Sequence, residues 1–212
     1  MYTPSAFKET DQTALHRWID QTRLAIVVTN GPDGMHASHL PLLLRSDDGP
    51  HGTLLGHLAK GNPQWRDLAN GQEALVIFPG ADAYVSPSFY PSKALHEKVV
   101  PTWNYTAVHA YGRAEVFSDA ERLRQLVSDL TDKHESDRTS PWSVDDAPAD
   151  YIDGMLRAII GFALPIERLE GKRKLGQNRS AEDYAGVREG LAASTDLLDR
   201  NIAQLMDPRS ST

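Results

Sequence analysis

Chemistry in this sequence first suggests itself at His57-Leu58-Ala59-Lys60-Gly61-Asn62-Pro63. An apolar strand runs into a short glycine-containing loop and then into a helix start, with Asn62 suited to the N-cap and Pro63 to the first helical position. Free backbone N–H groups at a helix start favour an anion, and Lys60 adds a full positive charge, so the segment suits a phosphate. It also reads as an ordinary strand-to-helix loop carrying an exposed lysine. A second segment is His36-Ala37-Ser38-His39-Leu40-Pro41. Strand alternation puts His36 and Ser38 on one face and His39 on the other, so the two histidines point apart and make no metal pair. Adding His57 and His109 restores no recognised ligand spacing, and no metal is expected.

Two further segments stand out. Lys98 to Tyr105 combines a base, a proline bend, Thr102, Asn104 and the rings of Trp103 and Tyr105. Such mixtures line pockets for planar ligands, and equally fill barrel cores. Residues 166–179 hold five bases and two acids in a chain of net charge −7. That local reversal of sign reads as an anion site or as a salt-bridged strand end. The acids concentrate elsewhere, ten against four bases over residues 118–153.

The negative searches bound the function. There is no cysteine, which excludes disulfides, thiolate nucleophiles and Cys-ligated metal centres. The excess of acids argues against binding polyanions by bulk charge. No dinucleotide fingerprint, P-loop, zincin or nucleophile-elbow motif occurs, no helix-turn-helix is evident, and no residue stands out as an acid–base catalyst, so the catalytic residues are unknown at this level. The opening residues lack an apolar signal region, and no apolar stretch approaches a membrane span. The expectation is a soluble, acidic, cytoplasmic protein that does not enter a membrane.

The elements that must position these residues follow from periodicity. Leu15, Trp18 and Ile19 give a first helix one apolar face. Leu24–Thr29 and Met35–Leu44 read as a hairpin around Asn30-Gly31-Pro32-Asp33-Gly34, with Pro41 marking an edge or bulge. Strands are expected over 52–58 and 73–78, with a helix between them that buries Trp65, Leu68 and Ala69. A long shaped loop is expected over 79–101, and a long strand or kinked pair over 102–117. Ser118-Asp119-Ala120-Glu121 reads as a capping box for a helix carrying Leu123, Leu126, Val127 and Leu130. A helix from Pro148 should turn Tyr151, Ile152, Met155, Leu156 and Ile159 inward. Residues 159–169 read as the last strand. Two helices follow Ser180, and residues 208–212 are expected to fray. Strands that succeed one another without helical crossovers point to an α+β, mainly antiparallel barrel or sandwich rather than a doubly wound sheet. The expected organisation is one domain, 1–212, with a helical insertion at about 118–157 and C-terminal helices at about 180–206.

These segments also carry a resemblance. Met1-Tyr2-Thr3-Pro4-Ser5-Ala6-Phe7, Ser38-His39-Leu40-Pro41, His57 to Pro63, Ala83-Tyr84-Val85-Ser86-Pro87-Ser88, Lys98 to Tyr105, and Leu169 to Arg179 stand in the order found in the PaiB-type, FMN-binding negative transcriptional regulator family. The chain resembles that family over nearly its whole length, with Phe89 where tryptophan is expected and Gly176 where serine is usual. The resemblance implies a split β-barrel similar to pyridoxamine-phosphate oxidases and flavin reductases, with peripheral helices and a helical C-terminal tail. It implies a homodimer with an FMN cleft at the interface. Ser38, His39 and Leu40 would run beside the isoalloxazine, and the loop from His57 through Lys60 and Asn62 would hold the phosphate. Thr102, Trp103 and Asn104 would line the pocket, and Lys172, Lys174 and Gln177 would close it. The implied activity is that of a flavin-dependent oxidoreductase or flavin reductase acting on an unidentified small molecule. The alternatives are a transcriptional regulator, for which nucleic-acid contact has little physical support here, and a haem-binding or haem-degrading split barrel. His39, His57, His96 and His109 are candidate axial ligands for the haem reading.

Overall fold

The computed structural model describes residues 1–206. In chain order the strands are β1 Lys8–Glu9, β2 Ala25–Gly31, β3 Gly34–Leu40, β4 Leu43–Arg45, β5 Thr53–Ala59, β6 Ala74–Val85, β7 Thr102–Gly112, β8 Glu115–Phe117, β9 Ile159–Pro165 and β10 Arg168–Lys174. The α-helices are α1 Gln12–Gln21, α2 Gln64–Ala69, α3 Lys93–His96, α4 Ala120–Glu135, α5 Ala149–Leu156, α6 Ala181–Ala192 and α7 Leu197–Leu205. Every strand pairing that fixes a register below is antiparallel, which agrees with the α+β, mainly antiparallel class. The chain divides into two compact units built from discontinuous segments. One comprises 1–15, 79–108 and the residues from 170 on; the other comprises 16–78 and 109–169.

In the second unit, β2 and β3 form a hairpin in register from Ala25↔Leu40 to Gly31↔Gly34. The other edge of β2 pairs with the start of β6, Ile26 opposite Ile77. A four-stranded sheet runs β4-β5-β9-β8, with β5 and β9 matched over seven pairs from Thr53↔Pro165 to Ala59↔Ile159. One face of that sheet is covered by α4 and α5. Leu123, Leu126 and Leu130 of α4 pack with Ile152 and Leu156 of α5 against Phe117, Ala163 and Leu55. The spacing of the α4 leucines is the i, i+3, i+7 stripe that one buried helical face requires.

In the first unit, Lys8 and Glu9 of β1 pair with Lys172 and Gly171 of β10. Ser180 caps α6 by accepting from Asp183 N–H, and Asp196 caps α7 by accepting from Leu198 N–H. Val187, Leu191, Ile202 and Met206 of this helical pair bury against Ala83, Val85, Tyr90 and Leu175. Phe89, at the position where tryptophan was expected, is partly buried against the same cluster. Gly176, where serine was expected, has φ +82, a left-handed conformation that glycine adopts without steric cost.

Several expectations are corrected. The strand expected over 35–44 is two strands in different sheets, because the chain breaks at Pro41-Leu42 and proline cannot donate to a continuing ladder. The expected last strand, 159–169, is likewise β9 followed by a separate β10. Strand β6 continues through Pro79 to Val85, into the stretch expected to be loop. There Gly80 lies so close to Thr106 that a Cβ would stand 2.0 Å from its hydroxyl. Helix α4 is capped by Asp119, which accepts from Arg122 N–H at 2.9 Å, rather than by Ser118. A capping box does occur at Ser143 and Asp146. In α5 only Ile152 and Leu156 are buried, while Tyr151 and Met155 are exposed, since an eight-residue helix on a sheet buries one narrow stripe. The expected fraying of 208–212 lies outside the described residues.

Candidate functional site

Two groups of side chains bear the chemistry, one in each unit. The first lies where β3 meets the loop between β5 and α2. Ser38 is half-buried on β3, and its Oγ accepts from Asn62 Nδ2 at 2.9 Å. Asn62 Oδ1 in turn accepts from Gln64 N–H at 3.0 Å, so this one amide both starts α2 and ties the loop to β3. Lys60 is exposed. Its backbone N–H donates to Ala158, its carbonyl accepts from Trp65 Nε1 at 3.1 Å, and its ammonium donates to the Arg157 carbonyl at 2.7 Å. Two ammonium protons of Lys60 remain for another acceptor. His39 is exposed and Leu40 half-buried on the same strand. Strand β3 ends its sheet, next to β2 alone. Among the described residues one side of its backbone ladder therefore has no strand partner, and such an edge can hydrogen-bond a planar heterocycle.

His57 stands apart from this junction. It faces Gly161 on β9 and shares its face with Leu55, the face covered by α4 and α5. Burial pushes its imidazole below the ordinary histidine value, and its buried Nδ1 has no hydrogen-bond partner among the described residues. No hydrogen bond links it to Ser38, Lys60 or Asn62 among the described residues.

Beneath the Ser38–Asn62 junction lies a polar cluster that the sequence pattern did not single out. Asp67 of α2 is buried, and its Oδ2 accepts from Thr29 Oγ1 at 2.9 Å and from His36 Nδ1 at 2.8 Å. The hydrogen bond from His36 holds the Asp67 carboxyl below the usual carboxylate range, against the opposing effect of burial. About a third of the His36 side chain (34%) reaches solvent. Gln64, also buried, donates from Nε2 to the carbonyls of Val27 at 2.9 Å and His36 at 3.3 Å. The buried face of α2 is thus Gln64, Asp67 and Leu68, not Trp65, Leu68 and Ala69. Asp67 can be buried because its carboxylate finds two donors, and Gln64 is held through its Nε2, although its buried Oε1 has no hydrogen-bond partner among the described residues. The close approach needs Gly31, where a Cβ would stand 2.1 Å from Asp67 Oδ1. Glycine in the Asn30-Gly31 turn was the available signal, but it reads equally as turn chemistry.

The second group lies in the first unit, on β10, the start of β7 and the turn into α6. Lys172 is buried at 7% exposure. Its ammonium donates to the Tyr2 carbonyl at 3.1 Å and lies 4.9 Å from the centre of the Tyr105 ring. Lys174 donates to Thr102 Oγ1 at 2.7 Å and to the Trp103 carbonyl. Burial pushes its ammonium below the ordinary lysine value, and the charges of Lys172 and Arg179 push it the same way. Arg179 lies over the Tyr90 ring at 4.9 Å. Trp103 is 53% exposed and meets Tyr84 edge to face at 5.7 Å. Asn104 is 2% exposed, and its amide has the Met206 sulfur at 3.6 Å. Gln177 uses its amide on the turn itself, accepting from Leu175 N–H at 2.8 Å and donating to the Arg173 carbonyl. The structure therefore brings Thr102, Trp103 and Lys174 together through hydrogen bonds, with Lys172 close enough to repel Lys174. It joins Ser38 to Asn62 in the same way.

Of the remaining candidate haem ligands, His96 accepts from Lys98 N–H at 3.0 Å and His109 lies edge-on to Tyr111. Among the described residues, no group of three or more His, Asp or Glu side chains is placed to hold a metal ion. Among the same residues, no helix is long and apolar enough to cross a membrane.

Comparison with known proteins bears on this geometry. Residues 1–168 match the family model described as "Putative FMN-binding domain". The chain is 34% identical over 209 residues to protease synthase and sporulation protein PAI 2 of Bacillus subtilis strain 168, covering 99% of this chain and 98% of that one. That alignment takes in nearly the whole chain, whereas the family model stops before Lys172, Lys174 and Gln177. Among solved structures, the chain is similar to the FAD and heme binding protein from Mycobacterium smegmatis (TM-score 0.59, 22% identity, 84% of this chain and 78% of that one). It is also similar to the flavocytochrome Anf3 from Azotobacter vinelandii (TM-score 0.57, 18% identity, 84% and 75%). At those identities the structural likeness shows the fold alone, a mainly antiparallel split barrel. The family match over most of the chain and the full-length similarity to PAI 2 place this chain in the PaiB-type FMN-binding family.

Proposed function

We propose that this chain binds FMN as a homodimer and acts as a flavin-dependent oxidoreductase or flavin reductase. The observation that carries the reading is the free edge of β3 at Ser38-His39-Leu40, tied by the Asn62–Ser38 hydrogen bond to the loop that presents Lys60. A flavin needs backbone donors and acceptors along its planar ring system and a cation with N–H donors at its phosphate, and this donor set fits both. When bound, the flavin supplies the hydride chemistry. The protein's part is to bind and orient. The β3 backbone would hold the ring system, Ser38 and Asn62 fix the loop, and Lys60 would neutralise phosphate charge. The exposed Trp103–Tyr84 pair suits a second copy of the chain, since large exposed aromatic groups mark interaction surfaces.

The test is an absorption titration of the purified full chain with FMN, run beside a titration with haemin and a measurement of molar mass in solution. Saturable flavin spectral changes at micromolar FMN on a dimeric species support the reading. Absence of any flavin change overturns it, and a Soret band lost in one His→Ala variant transfers the cleft to haem. A monomer that holds FMN normally removes the interfacial site.

A further inference from the structure

We propose that the basic cavity of the first unit, lined by the polar groups of Lys174, Arg179 and Asn104 and by the apolar side chains of Val85, Val187 and Met206, binds a small carboxylic acid with a hydrocarbon body, separately from the flavin. The inference goes beyond the FMN reading and does not depend on it, and it assigns Asn104 and Lys174, which the family resemblance places in the flavin pocket, to a separate site.

Three observations carry it. First, the cavity is positively charged without internal compensation. Lys174 and Arg179 line it, Lys172 is buried near enough to depress Lys174, and among the described residues none of the three forms an ion pair with a carboxylate. Among the described residues no carboxylate lines the cavity either, although the chain carries 29 acidic residues. Like charges gathered in a partly desolvated place are costly unless an anion offsets them. Second, Asn104 is 2% exposed, yet among the described residues its amide has only a thioether sulfur as partner, a weak acceptor that leaves a donor for a better one. Third, size and lining select the ligand. The cavity holds about 150 Å³. That is the scale of a cavity that takes up benzene, and it is well below the roughly 300–1,000 Å³ of sites for drug-sized molecules, so a tricyclic flavin ring does not enter it. Inorganic phosphate would match the charge but leave Val85, Val187 and Met206 against water. A carboxylate on a short apolar body satisfies both kinds of lining group, and the guanidinium fork of Arg179 suits a carboxylate's two oxygens.

The experiment is calorimetric titration of the full chain, with and without saturating FMN, using benzoate, benzyl alcohol and inorganic phosphate as probes. The expected result is saturable benzoate binding that FMN does not displace, with no comparable binding of benzyl alcohol or phosphate. Arg179→Gln should weaken benzoate at least about tenfold, the loss of a charge-assisted hydrogen bond. Asn104→Asp, which adds a like charge to the ligand's, should abolish binding. If circular dichroism shows that Asn104→Asp misfolds, Arg179→Gln decides the matter, because that side chain is only half-buried. The proposal is overturned by any of four results: no saturable benzoate heat in the millimolar range, benzyl alcohol binding as tightly as benzoate, phosphate displacing benzoate at equal concentration, or competition between benzoate and FMN. A protein that binds benzoate as described but never binds FMN would sink the flavin reading and leave this one standing.

Discussion

Asp67→Ala is the substitution that bears hardest on the link between α2 and the candidate flavin junction. Helix α2 has six residues, too few to persist without tertiary partners. Its attachment rests on Leu68, on Gln64, and on the two hydrogen bonds that Asp67 accepts from Thr29 and His36. A neutral hydrogen bond contributes about 1 kcal/mol net, and one involving a charged group about 1.5–3 kcal/mol. With His36 a third exposed, solvent screening places its bond at the low end. Both bonds end on the ionised carboxylate, so at the low end of the charged range the sum for Asp67→Ala is about 3 kcal/mol, which in a chain of this size lowers Tm by roughly 6–12 °C. Asp67→Asn keeps an acceptor oxygen and should lose about half of that. Because the folded-state carboxyl is held low, its contribution is fully present above the unfolded value of about 4 and disappears as pH falls through the folded value. Measurement at pH near 7 therefore captures all of it. Urea denaturation of the wild type, Asp67→Ala, His36→Gln and the double variant gives the coupling directly. FMN affinity should fall alongside stability, because α2 carries the Gln64 amide that anchors Asn62. A loss below about 1 kcal/mol, or strict additivity of the two substitutions, would refute the account.

Two other outcomes are expected. Lys60→Ala should weaken FMN binding while leaving the urea midpoint nearly unchanged, since the side chain is exposed and gives one hydrogen bond to a carbonyl; unchanged FMN affinity would place the phosphate elsewhere. His57 has a folded-state value depressed by burial, so the unfolded chain binds more protons just below the ordinary value of about 6.5, and stability should decline as pH falls through that range. His57→Gln should remove that part of the pH slope in denaturation midpoints measured between neutral and mildly acidic pH, and an unaltered slope would assign it to another group.

The sequence on its own settled the alternating apolar strands around the Gly31 turn, the leucine stripe of α4, the uneven charge, and the absence of cysteine chemistry. Each is a local property, a period of two or 3.6 or a residue count, and so is readable from neighbours in the chain. The ordered motifs from Ser38 to Gln177 also carried the family, because the same residue types recur in the same order. What only the tertiary structure decided is which polar groups end up buried with partners. The expected buried face of α2, Trp65, Leu68 and Ala69, leaves out Asp67, which Thr29 and His36, 38 and 31 positions away, hydrogen-bond in the fold. Pro41 reads as an edge or a bulge, yet it is where the chain leaves one sheet for another. The basic run at 166–179 gave no sign that Lys172 would be buried against Tyr105, or that Lys174 would meet Thr102 across 72 positions. Charge and hydrogen-bonding capacity are written in the residue type. Whether they are spent on solvent, on the backbone or on a ligand depends on contacts between distant segments, which only the folded chain brings together.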